Sequence, residues 1–171
     1  DDRHRTLESF WKGQVNSKVW LAENLLEFVP VRPLNIVIYG GWNGVLASIL
    51  FNSNINIQRI TSVDIDPVCE DIANTVNRRY LDQKKFSAIT ADMTTVTDES
   101  ADVVINTSCE HITQQQDDKW LSNQPNDAVV ALQSNNYFNL DEHIRCSENL
   151  EDFVQMSNIN PYFRNTLRTL K

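Results

Sequence analysis

Glycine is scarce in this chain, with four in 171 residues, and so are methionine (two), cysteine (three), histidine (three) and proline (five). Each shortage excludes something. Cys69, Cys109 and Cys146 are odd in number and lack CxxC spacing, and His4, His111 and His143 are scattered, so neither a disulfide framework nor a closed zinc site is expected. No apolar run approaches the ~20 residues that span a bilayer, and no signal-peptide pattern opens the chain. These absences lead us to expect a soluble cytoplasmic protein with reduced thiols. Lys and Arg never run beyond pairs such as Arg78-Arg79 and Lys84-Lys85, and the formal charge is −8. Nucleic-acid binding draws most of its affinity from phosphate neutralisation, so it is not the expected task. Low-complexity tracts and repeats are also missing, and the apolar fraction of 41% with 22% charged residues is that of a globular domain. Residues 1–171 therefore read as one domain, of a length that buries roughly 70% of the surface its unfolded chain exposes. The start without Met and the end at "LRTLK" fit a portion of a longer chain.

What is present alternates. Over residues 6–29, Leu7, Phe10, Trp11, Val15, Val19, Leu21, Leu25 and Phe28 recur at helical spacing, and Pro30 and Pro33 close the segment, making 1–29 an N-terminal helical region. "LNIVIYG" then reads as a strand apolar on both faces. Helix is expected over 44–52, strand in "RITSVDI", helix over 67–80, and strands in "FSAITAD" and "ADVVINT". A short helix over 117–122, a strand in "DAVVALQ" and a helix over 147–157 complete the pattern. Strands separated by helices imply βαβ units, and so an α/β, doubly wound, mainly parallel sheet with helices on both faces.

Three of the four glycines fall in "GGWNG", immediately after the first strand. In a doubly wound sheet the ligand lies outside the carboxyl ends of the strands, and glycines in the first turn let backbone amides approach it. Asp64 ends the second strand, twenty positions beyond Gly44, where a carboxylate can accept ribose hydroxyls. Asp92 ends the third. A nicotinamide-binding Rossmann domain shares such a turn and acid, but its GxGxxG fingerprint would need glycine where "YGGWNG" has Tyr39.

Through these motifs, residues 15–157 resemble the class I S-adenosylmethionine-dependent methyltransferases. The resemblance implies that S-adenosylmethionine is the cofactor, with its methionine end at Tyr39, Gly40, Gly41, Trp42 and Asn43. It likewise implies that Asp64 and Ile65 meet the ribose and adenine and Asp92 and Met93 the adenine, and that Asn106, at the end of the fourth strand, also binds the cofactor. "ADVVINTSCEHI" is similar to the family's fourth strand and following loop. Two positions differ: Trp42 stands at the middle glycine of GxGxG, and Ile38 where an acid often precedes the first glycine.

Methyl transfer needs mainly an acceptor aligned with the sulfonium and, in some cases, a base. The ends of the fourth and fifth strands supply Glu110 and His111 as a candidate base pair. The segment after the fifth strand adds Gln133, Asn135, Asn136, Tyr137 and His143 as candidates; the cluster Gln133, Ser134, Asn135, Asn136 and Tyr137 suits hydrogen bonding to a small polar substrate, and Asn136 and Tyr137 with Glu110 and His111 form the expected catalytic set. Cys109 is expected to be a buried, inert thiol. The first helix, with Lys18 and Trp20, is expected to fold over the site as a lid, as the resemblance implies for that region. Two other functions would use the same pocket: a non-catalytic nucleotide-binding or assembly module, and an enzyme directing the sulfonium to lyase or alkyl-transfer chemistry.

Overall fold

Ile36, Val37 and Ile38 have no polar face to offer water, and the strand they form is the centre of the sheet. In the computed structural model, which describes His4 and residues 7–167, β1 (Leu34–Tyr39) lies between β2 (Ile57–Asp64) and β4 (Val103–Asn106). β3 (Phe86–Thr90) flanks β2, and β5 (Val129–Leu132) flanks β4. All pairings are parallel and the order is β3-β2-β1-β4-β5.

Successive side chains of a strand point to opposite faces, so the sheet has two cores. On one face Ile36, Ile38, Ile60 and Ile105 pack with Ala22 and Leu25 of α1 (Lys12–Leu25), Leu46 and Leu50 of α2 (Val45–Phe51), and Ala73 of α3 (Pro67–Val76). On the other, Val37, Tyr39, Val63 and Val104 pack with Trp120 of α5 (Gln114–Ser122). The Tyr39 and Trp120 rings meet edge-on at 5.3 Å, an arrangement aromatic quadrupoles favour. Burial of each aliphatic core side chain contributes roughly 1.5–3 kcal/mol.

Local signals set the helix starts. Pro67 opens α3 while the Asp66 carboxylate accepts the Val68 N–H at 3.0 Å. A reciprocal cap between Thr113 and Gln116 starts α5 at Gln114, three residues before the expected position. β2 begins two residues early, and the last helix, α6 (Leu150–Met156), is shorter than 147–157.

Two expectations need larger correction. The first helix does not run over 6–29, of which residue 6 lies outside the described residues. Trp11 is extended, α1 begins after it, and its buried face is Lys18, Ala22 and Leu25. Leu7, Phe10 and Trp11 remain exposed, because the turn before α1 draws Ser9 inward, where its hydroxyl accepts from Asn43 Nδ2 at 3.2 Å. The helix over 67–80 breaks at Asn77, whose buried amide donates to the Ala73 and Gly44 carbonyls at 3.0 Å each, ending α3 before α4 (Arg78–Asp82). Among the described residues, no helix is long and apolar enough to cross a membrane.

Candidate active site at the carboxyl ends of the strands

The strand order reverses between β1 and β4, so the loops that leave these two strands diverge and open a crevice. The loop after β1 has three residues in the left-handed region: Gly40 (φ 65°), Trp42 (φ 47°) and Gly44 (φ 75°). Only glycine adopts this conformation without cost, so Trp42 is strained by roughly 1–2 kcal/mol. At Gly44 a Cβ would also come within 2.7 Å of Asn77 Nδ2 and 3.0 Å of Ala73 Cα. The Gly40 carbonyl accepts a hydrogen bond from Ser108 Oγ, in the loop after β4, at 3.3 Å.

Asp64 is wired into this loop. One of its oxygens accepts the Trp42 N–H at 2.9 Å and the other the Asp66 N–H at 3.0 Å. An ionised carboxylate has about four lone-pair sites, so both oxygens can still accept from a ligand. Ile65 beside it is 73% exposed, an uncovered apolar side chain at the crevice. Asp92 caps a short 3-10 turn (Met93–Thr95) by accepting from the Thr94 N–H and hydroxyl at 2.8 and 2.9 Å, and these bonds hold its carboxyl below the usual carboxylate range. Met93 is half-buried against the Tyr39–Trp120 core. The Tyr39 side chain turns into that core, its hydroxyl donating to the Val96 carbonyl at 3.2 Å, so only its backbone faces the loop. Asn43 is buried, on Ser9.

Across the crevice the ends of β4 and β5 carry polar groups that burial leaves short of partners. Asn106 is fully buried; its Oδ1 accepts the Ser108 N–H at 2.9 Å, and its Nδ2 has no partner among the described residues. Glu110 is 6% exposed and sits in the 3-10 turn Cys109–His111. Its Oε1 accepts from Asn135 Nδ2 at 2.6 Å and lies 3.7 Å from His111 Nε2, while Oε2 is unpartnered. Desolvation raises the Glu110 pKa despite the opposing pull of His111, His143 and Lys18. Lys18 of α1 is itself buried at the site and donates to Gln14 Oε1 at 2.9 Å; burial lowers its pKa to about 8, against the attraction of Glu110. α1 is tied to the end of β5, where Gln133 Nε2 donates to the Ser17 carbonyl at 3.3 Å. Cys109 is 1% exposed, and burial pushes its thiol well above the ordinary range, as an inert core thiol requires.

The irregular stretch 133–149 is held by Arg145, whose importance nothing in the sequence signalled. The Arg145 backbone N–H donates to the Glu110 carbonyl at 3.0 Å, and its guanidinium donates to the Cys109 and Ile112 carbonyls and Gln114 Oε1 at 3.0–3.2 Å. It also forms a 2.9 Å buried ion pair with Asp117. This clasp brings His143 to His111, their rings edge-on at 4.7 Å. Asn136 and Tyr137 are exposed. The Tyr137 ring lies against His143 at 6.0 Å, and Asn135 is the amide that reaches Glu110.

No protein-family model and no curated protein sequence matches the chain. Among solved structures, the pyocyanin biosynthetic protein PhzM superposes with a TM-score of 0.63 at 16% identity over 82% of this chain and 47% of its own. Mitomycin 7-O-methyltransferase MmcR gives 0.58 at 16% over 77% and 40%, and the [4+2]-cyclase SpnF 0.52 at 15% over 63% and 41%. The chain thus spans less than half the length of each of these three proteins. Sheet order, crossover pattern and these likenesses together give the chain the fold of the class I S-adenosylmethionine-dependent methyltransferases.

Proposed function

We propose that the protein is an S-adenosylmethionine-dependent methyltransferase acting on a small polar molecule. The observation that carries this reading is the coupling of the glycine loop to Asp64 through the Trp42 amide, beside the exposed Ile65 and one strand from Asp92. The residues fit the cofactor: Asp64 would accept from the ribose, Ile65 would cover the adenine, and the orphaned Asn106 Nδ2 is a buried donor awaiting an acceptor. The cofactor supplies an electrophilic methyl group on a sulfonium. The chain's own part is to hold the acceptor across the crevice, where Glu110, His111 and Asn135 offer charge and hydrogen bonds, and to exclude water with α1. A net charge of −8 favours a small acceptor over a nucleic acid.

A second reading, that the pocket serves chemistry other than methyl transfer, has one observation behind it: the same fold is found in a [4+2]-cyclase. Incubation with S-adenosylmethionine and mass analysis of the products separates these two readings from each other and from a non-catalytic module. S-adenosylhomocysteine marks methyl transfer, methylthioadenosine marks other use of the sulfonium, and binding without turnover marks a non-catalytic module. Calorimetric titration should give saturable binding of S-adenosylhomocysteine, weakened by ~1.5–3 kcal/mol in Asp64→Ala through lost charged hydrogen bonds. Equal affinity in that variant removes Asp64 from the site.

A further inference from the structure

We infer that Glu110, His111 and His143 form a binding site for a divalent first-row transition metal. Their ligand-capable atoms all lie within 4.8 Å of one another. A tetrahedral site with bonds near 2.1 Å needs ligand atoms about 3.4 Å apart, so closure takes movements of about an ångström. His111 is exposed and His143 half-buried, which leaves both rings room to make that movement.

Two features distinguish this cluster from a chance meeting of polar side chains. The first is orientation. His111 Nδ1 lies 3.1 Å from the Glu142 carbonyl and His143 Nδ1 2.6 Å from the Tyr137 carbonyl. A carbonyl only accepts, so each Nδ1 carries a proton and Nε2 is left as the nitrogen of each ring that can offer a lone pair to a metal, the orientation that a hydrogen-bonded Nδ1–H gives to imidazole ligands. The second is the orphaned Oε2 of Glu110, a buried carboxylate oxygen without a hydrogen-bond partner. Cys146 Sγ, 3.7 Å from His143 Nδ1, faces the protonated side of that ring and is not among the ligands.

Two imidazoles with one carboxylate suit Zn²⁺, Co²⁺, Mn²⁺ or Fe²⁺, whereas Mg²⁺ and Ca²⁺ prefer all-oxygen shells. Three protein ligands leave coordination positions open. Where the methyltransferase reading holds, on which this last role rests, the metal would grip an acceptor oxygen at the β4 side of the crevice and lower its pKa. Metal binding itself does not depend on that reading.

The test uses the full chain, stripped with EDTA and free of S-adenosylmethionine. Titration with Zn²⁺ by calorimetry, and with Co²⁺ by visible absorption, should saturate at one ion per chain. His111→Gln and His143→Gln should each weaken binding by at least about 10–100-fold, the loss that disturbing even an outer partner of a metal causes. Cys146→Ser should bind as the wild type does. The wild type alone gives an independent readout: Zn²⁺ should shift the imidazole proton resonances of His111 and His143 and leave those of His4 in place. Absence of saturation, unchanged affinity in both histidine variants, or equal shifts at all three histidines would overturn the site. Binding of S-adenosylhomocysteine in EDTA tests the other reading separately.

Discussion

Trp42 occupies a backbone position that suits glycine, and its amide is one of two that hold Asp64. Removing the indole confounds two effects, since it relieves nothing of the left-handed strain unless the replacement lacks Cβ. Trp42→Ala and Trp42→Gly lose nearly the same contacts and differ chiefly in that strain. Urea unfolding should therefore find Trp42→Gly more stable than Trp42→Ala by about 1 kcal/mol, the reverse of their order in a helix. The opposite order would mean that the loop is not left-handed at residue 42. The glycine cluster and the acids at the strand ends were legible in the sequence because their spacing is local. What spacing hides is the reason for each glycine. A Cβ at Gly40 would overlap the Ser108 hydroxyl, and one at Gly41 the Ser62 hydroxyl, so the loop's glycines also serve close packing against β2 and the loop after β4.

Among the elements, strands declared themselves through apolar runs, and their parallel pairing followed from the helices between them. The failures share a cause. Asn77 ends a helix by bonding to Gly44, and Arg145 fixes the 133–149 stretch by bonding to the loop after β4; each is a side chain reaching across the fold, invisible to periodicity. Asp102 does the same at the opposite end of the sheet. It accepts the Asn35 N–H at 2.8 Å and pairs with Arg32 at 2.7 Å, joining the start of β1 to the start of β4. The hydrogen bond from Arg32, with that from Asn35, lowers the Asp102 pKa. A depressed carboxyl stabilises the fold fully above its unfolded pKa and loses that contribution as pH falls through the folded one. The stability gap between wild type and Asp102→Asn should thus be constant near neutrality and shrink below about pH 4. A gap that persists undiminished well below that pH would show that the charge is not what Asp102 contributes.

At the scale of the whole molecule, protection should follow position in the sheet. β1 has a partner on each side and is almost wholly buried, while β5 pairs only with β4 and its residues are half-buried. α6 contributes no buried residue. Native-state hydrogen exchange should find the amides of Ile36–Tyr39 and Val104–Asn106 opening only with global unfolding, and those of β5 and α6 opening at lower free energy. Uniform protection across the five strands would refute that gradient.

The strand order also constrains how the chain comes together in time. β1 is made first, yet its second neighbour, β4, lies some seventy residues further along, after β2 and β3 have been added on the other side. During synthesis a half-sheet of β1, β2 and β3 can form while the Ile- and Val-rich inner edge of β1 has nothing to pair with. Loop-closure entropy must be met before β4 rewards it, which slows such parallel topologies, and the unpaired edge is a template for another chain until then. The central strand that secures the finished molecule is, for as long as the ribosome takes to reach residue 106, its most vulnerable surface.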